Sequence, residues 1–341
     1  MVPTSFSRES ITSDLLEAKQ EAVKSLLSAH VEAPRHAAYV LTTSPEQNLV
    51  GIGIATKITK GKFTSRKCVR FYVERKLAKE VIPKENLLPS EVKGVETDVV
   101  ETGRFRAFPT RRIPIQLQRR RPAQPGCSIG FQFTGSKSSF VMAGTFGALV
   151  QKNAKHCILS NNHVLANENQ LPLGSPIFQP GLLDNGDPTN DQIATLTQFE
   201  ALSTSSPNKV DCAIAKLLDD RFAIGRVLPR VGKLSGNQPI AAKEQMKVHK
   251  VGRTTGYTRG RIFDVNADVR VGYDLGELLF EGQILVVGEG DQFSAAGDSG
   301  SLIVDRTSKT ATGLLFAGSG THTIANHLSD VLNTIGIGLV A

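Results

Sequence analysis

The stretch Ala295-Ala296-Gly297-Asp298-Ser299-Gly300-Ser301 sets a serine between glycines, just after an aspartate and just before the apolar run Leu302-Ile303-Val304. That arrangement suits a nucleophile on a tight turn. A serine hydroxyl is a weak nucleophile until a neighbouring base takes its proton, so a histidine and a carboxylate have to be found for it. Two segments offer them. In His156-Cys157-Ile158-Leu159-Ser160-Asn161-Asn162-His163-Val164-Leu165 an apolar strand ends at Ser160, and His163 stands just beyond it, where an imidazole can project from a fixed scaffold. In Lys209-Val210-Asp211-Cys212-Ala213-Ile214-Ala215-Lys216-Leu217, Asp211 opens an apolar strand. A carboxylate near a core needs a donor, and an imidazole N–H is one. A serine, a histidine and an aspartate so placed make nucleophilic catalysis the chemistry to expect.

The elements that must position these residues are short strands. From Cys127 onward β-like runs recur at 128–133, 147–150, 155–160, 192–199, 212–217, 246–251, 260–269, 282–287, 301–304 and 312–316, separated by Gly, Asn and Pro. A helical period emerges late, over 324–335. Many strands at short spacing followed by a late helix predict an all-β domain of barrel or sandwich type. Ahead of it, 10–29 reads as an amphipathic helix with Leu15, Leu16, Ala22, Val23, Leu26 and Leu27 on one stripe, Thr12 or Ser13 to cap it and Pro34 to close it. Strand-like runs follow at 37–41, 49–54 (with Gly51 and Gly53), 68–73 and 95–100, with a turn of helix at 76–79. The reading is a small α+β domain over 1–103, an Arg/Pro-rich connector over 104–126 and a β domain over 127–341. The helix is expected to pack on its own domain, with homo-oligomerisation as the sharper alternative.

The order His163, Asp211, Ser299 resembles that of chymotrypsin-like proteases. His163-Val164-Leu165 after an apolar strand, Asp211 ahead of Ala213-Ile214-Ala215, and Gly297-Asp298-Ser299-Gly300-Ser301 are similar to the three signature blocks of the chymotrypsin/trypsin-like clan. Gly313-Leu314-Leu315-Phe316-Ala317-Gly318-Ser319-Gly320 resembles the strand that lines the primary specificity pocket and pairs with substrate. Within the clan the chain resembles the intracellular, disulfide-poor narrow-leaf-type proteins of plants and their bacterial relatives. Arg121-Pro122-Ala123-Gln124-Pro125-Gly126, Leu159-Ser160-Asn161-Asn162-His163-Val164, Val251-Gly252-Arg253-Thr254-Thr255-Gly256 and Val99-Val100-Glu101-Thr102-Gly103 carry that likeness. The resemblance implies a mainly β, double β-barrel chymotrypsin-like fold and a regulated serine endopeptidase. In it Ser299 attacks, His163 shuttles the proton, Asp211 orients His163, and the N–H groups of Gly297 and Ser299 form the oxyanion hole. It implies that Asp298 is structural, pairing with a fixed side chain or a backbone N–H. Phe293, six residues before Ser299, stands where trypsin-type enzymes carry an acid. With Ala295, Phe316 and Gly318 nearby it points to a small or medium apolar residue at the cut, and Phe293, Phe316, Ala317 and Gly318 are the expected substrate contacts. The mechanism requires no metal or organic cofactor. The rival is a catalytically silent scaffold that binds peptides or partner proteins.

Composition narrows the classes further. Of 341 residues 40 are Lys or Arg and 32 Asp or Glu, a net charge of +8. The run from Arg104 to Arg121 holds seven arginines and no acid, which leaves the rest of the chain nearly neutral. The basicity is thus local, and a nucleic-acid-binding face is not expected. That run reads as an exposed connector, with docking of an acidic partner or proteolytic processing as alternatives. The four cysteines lack ligand spacing, so zinc is not expected. Cys127, Cys157 and Cys212 read as buried thiols, a disulfide between two of them staying open. The first 30 residues lack a secretory pattern and no stretch reaches the ~20 apolar residues of a membrane span, so a soluble, cytoplasmic protein is expected. Asp184, Asp187 and Asp191 read as a turn rather than a calcium loop, Arg253 as a loop organiser, and His30, His36, His156, His322 and His327 as non-catalytic.

Overall fold

A computed structural model of the chain describes residues 6–27, 48–105, 119–132, 141–227 and 230–341. Helix α1 (Ser13–Ala22) follows Thr12, whose extended backbone occupies the N-cap without a side-chain cap bond, and continues into a π-helical turn, Val23–Leu27. Ala18, Ala22, Val23 and Leu27 bury against Leu49, Ile52, Val69 and Phe71, so the apolar stripe is spent within the chain. Leu16 departs from the expected stripe and is exposed. The strand expected at 37–41 and the helix stop at Pro34 lie outside the described residues.

Strands β1 (Leu49–Thr59) and β2 (Lys62–Val73) form an antiparallel hairpin. After two single 3-10 turns, Lys79–Val81 and Lys84–Asn86, come β3 (Glu91–Val92) and β4 (Val95–Glu101), with β4 parallel to β2. These strands do not close on themselves. Further on, β1 pairs antiparallel with a strand of the C-terminal half, Gly51 opposite Val269 and Ile52 opposite Asp268. The division expected at 103 therefore does not separate two sheets.

The next strands are β5 (Ser128–Phe131), β6 (Gly144–Thr145), β7 (Ala148–Lys152) and β8 (Lys155–Ser160). A one-turn helix α2 (Asn162–Leu165) leads to β9 (Pro176–Phe178), β10 (Gln192–Phe199) and β11 (Ala213–Leu217). They pair in the order β7-β8-β11-β10-β9-β5-β6. Because β6 runs straight into β7, and Phe146 N–H donates to Cys127 O at 2.8 Å, the sheet curls back on itself. Its interior holds Ile129, Phe131, Phe146, Ile158, Ile177, Ile193, Leu196 and Ala215.

The remaining strands are β12 (Lys247–Gly252), β13 (Gly256–Tyr273), β14 (Gly276–Gly288), β15 (Leu302–Asp305), β16 (Ala311–Gly318) and β17 (His322–His327). Their order is β12-β15-β16-β17-β14-β13, and β12 also pairs with β13, which closes a six-stranded barrel. Closure removes the free edges, except that β13 is long enough to carry β1 as well. Helix α3 (Leu328–Ile335) starts later than the 324 expected, since His322–His327 is strand β17. Gly336, at φ +71°, ends it in the left-handed conformation glycine tolerates. Strand β18 (Gly338–Leu339) then returns to β7. Between the barrels lies a core of Val150, Leu159, Ile214, Val251, Leu302, Val304, Leu314, Val331 and Ile335, which also takes Cys127, Cys157 and Cys212. All four cysteines are free and buried. The architecture is a mainly β double barrel whose second barrel is extended by N-terminal strands.

The described ends of the 104–126 stretch are tied down rather than free. Arg104 pairs with Glu74 and Glu277 at 3.0 Å each. Arg119 and Arg121 both reach Asp191, and Ala123 bridges to Ala223. Arg106, Arg111 and Arg112 lie outside the described residues.

Candidate active site

Strand β8 ends at Ser160, and antiparallel pairing sets Ala213 of β11 opposite it. The residues just past one strand and just ahead of the other, His163 and Asp211, are therefore neighbours. Asp211 is wholly buried, and a buried carboxylate needs its lone pairs met. Its Oδ1 accepts from the Asn162 N–H at 2.6 Å and the His163 N–H at 3.4 Å. Its Oδ2 lies 2.5 Å from His163 Nδ1 and accepts the Tyr273 hydroxyl at 2.7 Å. An ionised carboxylate only accepts, so His163 Nδ1 is the donor to Oδ2, and in the neutral imidazole Nε2 is left as the acceptor. That Nε2 is buried and has no partner among the described residues.

Ser299 sits on a turn gripped from several sides. Gly297 and Gly300 take φ +92° and +91°, values that suit residues without a Cβ. Thr145 Oγ1 donates to Gly297 O at 2.9 Å and Thr145 N–H to Ser299 O at 2.8 Å. The backbone at Gly144 passes between the next residue after His163 and the serine: a Cβ there would meet Val164 at 2.7 Å and Ser299 O at 3.1 Å. The histidine and serine segments are thus held against one another through β6. The serine hydroxyl donates to Phe316 O at 3.3 Å and not to His163. The N–H groups of Gly297 and Ser299 find no acceptor among the described residues.

Asp298, next to the serine, points away into a cage. It meets Lys250 Nζ at 3.0 Å, both side chains having no solvent exposure. It also accepts Thr255 Oγ1 at 2.6 Å and the N–H groups of Thr254, Thr255 and Ala295 at 2.9, 3.1 and 3.0 Å. Burial pulls the Lys250 ammonium below the usual lysine range, against the opposing pull of Asp298. Both kinds of partner expected for Asp298, a fixed side chain and backbone N–H groups, are present.

The residues expected to contact substrate are placed less simply. Phe316, Ala317 and Gly318 end β16, but all are buried. Phe293 is 1% exposed and packs with Val248, Ile262, Ile303 and Leu315, its ring 5.9 Å from Lys250 Nζ. It belongs to the barrel core. Its neighbour Ser294 instead faces Thr323, hydroxyl to hydroxyl at 2.6 Å. The chain that leaves β4 covers this region. Ser319 Oγ and Thr321 Oγ1 donate to Thr102 O at 2.7 and 3.1 Å. Phe105, 1% exposed, joins the apolar cluster of Leu202, Phe280, Phe316 and Ala317.

Other expectations resolve as structure. Arg253 forms a buried pair with Asp184, Nη2 to Oδ1 at 2.8 Å. Asp191 holds the two arginines noted above, and Asp187 accepts the Thr189 N–H at 2.8 Å within its own turn. His156 faces Asp220 at 3.3 Å at the edge of β8. Burial pushes His322 and His327 down to about 4. Two residues of the site went unremarked in the sequence, Tyr273 and Lys250. Each lies in an alternating strand, and only the register of β12 and β13 brings it to its carboxylate.

No family model matches the chain, and no curated protein matches it. Solved structures do. The fold is similar to that of a glutamic acid specific serine protease described as utilizing a novel histidine triad in substrate binding (TM-score 0.45, 17% identity, over 64% of this chain and 100% of that one). It is similar to Thermobifida fusca Protease A (TM-score 0.43, 18% identity, over 64% and 100%) and to Cellulomonas bogoriensis chymotrypsin (TM-score 0.43, 19% identity, over 63% and 97%). These neighbours are chymotrypsin/trypsin-like serine proteases.

Proposed function

We propose that the protein is a serine endopeptidase working through Ser299, His163 and Asp211, with its site held closed by its own N-terminal segment. The observation that carries this reading is the oriented histidine. His163 is fixed by Asp211 through Nδ1, and its free Nε2 belongs to a segment packed against the serine turn. In the reaction His163 Nε2 takes the Ser299 Oγ proton as Oγ bonds to the peptide carbonyl carbon. The N–H groups of Gly297 and Ser299 receive the oxyanion. Collapse breaks the C–N bond, and His163 returns the proton to the leaving amine. Water, activated by the same imidazole, then releases the acyl group and restores Ser299.

The closed state rests on Thr102–Phe105. That segment lies where its carbonyl and aromatic ring engage Ser319, Thr321 and the cluster around Phe316 and Ala317, the strand proposed to pair with substrate. The bond from Ser299 Oγ to Phe316 O is what a silent scaffold would keep; an enzyme would give it up by a side-chain rotation when the segment lifts.

A fluorophosphonate probe tests both parts on the full chain. Labelling is expected at Ser299, absent in Ser299→Ala and His163→Ala, and several-fold faster in Phe105→Ala. Ser319→Ala combined with Thr321→Val releases the same segment without emptying the core. If the wild type and both opened variants stay unlabelled while folded, the protein is a scaffold. Labelling as fast in the wild type as in the opened variants removes the closure.

A further inference from the structure

We infer that Tyr273 is a positioning residue for this site, acting on His163 through the Asp211 carboxylate. The inference rests on the triad reading above and deepens it. Tyr273 ends β13, where it stands opposite Gly276 of β14. Its hydroxyl reaches Asp211 Oδ2 at 2.7 Å, the same oxygen that holds His163 Nδ1. Its ring meets the imidazole edge-on, centroids 5.8 Å apart at 77°, and stacks on Phe280 at 5.8 Å and 25°. Four donors thus hold Asp211, two on each oxygen: Asn162 and His163 N–H on one, His163 Nδ1 and Tyr273 on the other.

The tyrosine hydroxyl supplies two things that the amides do not. It fixes the carboxylate plane from the Oδ2 side, so Oδ2 cannot swing away from Nδ1. It also draws charge from Oδ2, which moderates how strongly Asp211 stabilises the imidazolium. Burial and the adjacent carboxylate hold the phenol well above its ordinary range, so it stays protonated and donates.

The placement of Tyr273 is itself secured from the histidine side. Glu168, five residues past His163, accepts the N–H groups of Asp274 and Leu275 at 3.2 and 2.9 Å. The tip that bears Tyr273 is therefore tied to the segment that bears His163. On the other side Arg104 holds Glu277 at 3.0 Å.

Tyr273→Phe keeps the ring and removes only the donor. Two readouts on the full chain test it: the pKa of His163 from its imidazole NMR resonances, and kcat and KM across pH on a peptide substrate. The expected results are a His163 pKa raised by about half a unit or more, the acid limb of kcat/KM displaced the same way, and kcat lowered about tenfold with KM within about twofold. The NMR titration needs no turnover. If wild-type Ser299 proves unreactive, the triad reading falls while the titration still decides the role of Tyr273. An unmoved His163 titration in folded Tyr273→Phe reduces Tyr273 to packing and overturns the inference.

Discussion

Asp298 adjoins the nucleophile yet answers to Lys250 rather than to His163. Two opposite charges with no solvent exposure are costly to bury, and the cage of Thr255 Oγ1 and three backbone N–H groups is what offsets that cost. Removing one partner strands the other. Lys250→Met is therefore expected to cost about 3–5 kcal/mol in urea unfolding, and Asp298→Asn added to it to restore much of the loss. A loss under about 1 kcal/mol in the single variant would show that the pair is not what holds the turn. That Asp298 had a structural partner was implied by the family resemblance. Which partner was not, because Lys250 reaches it only through the register of β12. Phe293 teaches the same limit: counting six residues back from Ser299 located a position but not the direction of its side chain, and the ring went into the core.

The strands themselves were legible as short runs between turn residues, two of them to the residue, 155–160 and 192–199. Their partners were not. Alternation says that β1 and β2 have a buried face, but not that β1 continues the second barrel. The two glycines of β1 record that junction. A Cβ at Gly51 would lie 2.7 Å from Asp268 O and 3.0 Å from Val269, and one at Gly53 would strike the Asp264 carboxylate and come 3.1 Å from the Tyr72 ring. They let β1 approach β13 where Tyr72 OH bonds Asp264 and where buried Lys19 meets Asp268 at 2.5 Å. Gly53→Val is expected to destabilise by about 1–3 kcal/mol and to open the 74–105 region to limited proteolysis. Gly272→Ala, on the same strand β13 with open space around it, is expected to stay within about 0.5 kcal/mol. Equal protease resistance of Gly53→Val and the wild type would mean the junction tolerates a side chain and the N-terminal strands dock by other contacts.

Across the whole molecule, buried titratable groups set how stability follows pH, and two sets oppose each other. His249, His322 and His327 are pushed down to about 4, by burial first and by nearby arginines and lysines second. Between pH 4 and 6.5 the folded chain binds fewer protons at these sites than the unfolded chain, so their contribution falls as pH drops through that window. Glu244 behaves inversely. It accepts the Thr56 N–H and hydroxyl at 3.2 and 2.7 Å, but burial and the neighbouring Asp264 raise it to about 7. Its contribution is complete below about 4.5 and is lost as pH rises to 7. Burial raises Glu168 and Asp264 as well, so between pH 4.5 and 6.5 the histidines pull stability one way and these carboxyls the other. Glu244→Gln removes one opposing member. The variant is expected to match the wild type near pH 5 and to exceed it above pH 7 by up to about 3 kcal/mol, read as the difference between their thermal unfolding curves at pH 5, 6, 7 and 8. Parallel curves across that range would mean that Glu244 is ionised at little cost beside Thr56, and that the network joining β1 to the second barrel carries its charge without penalty.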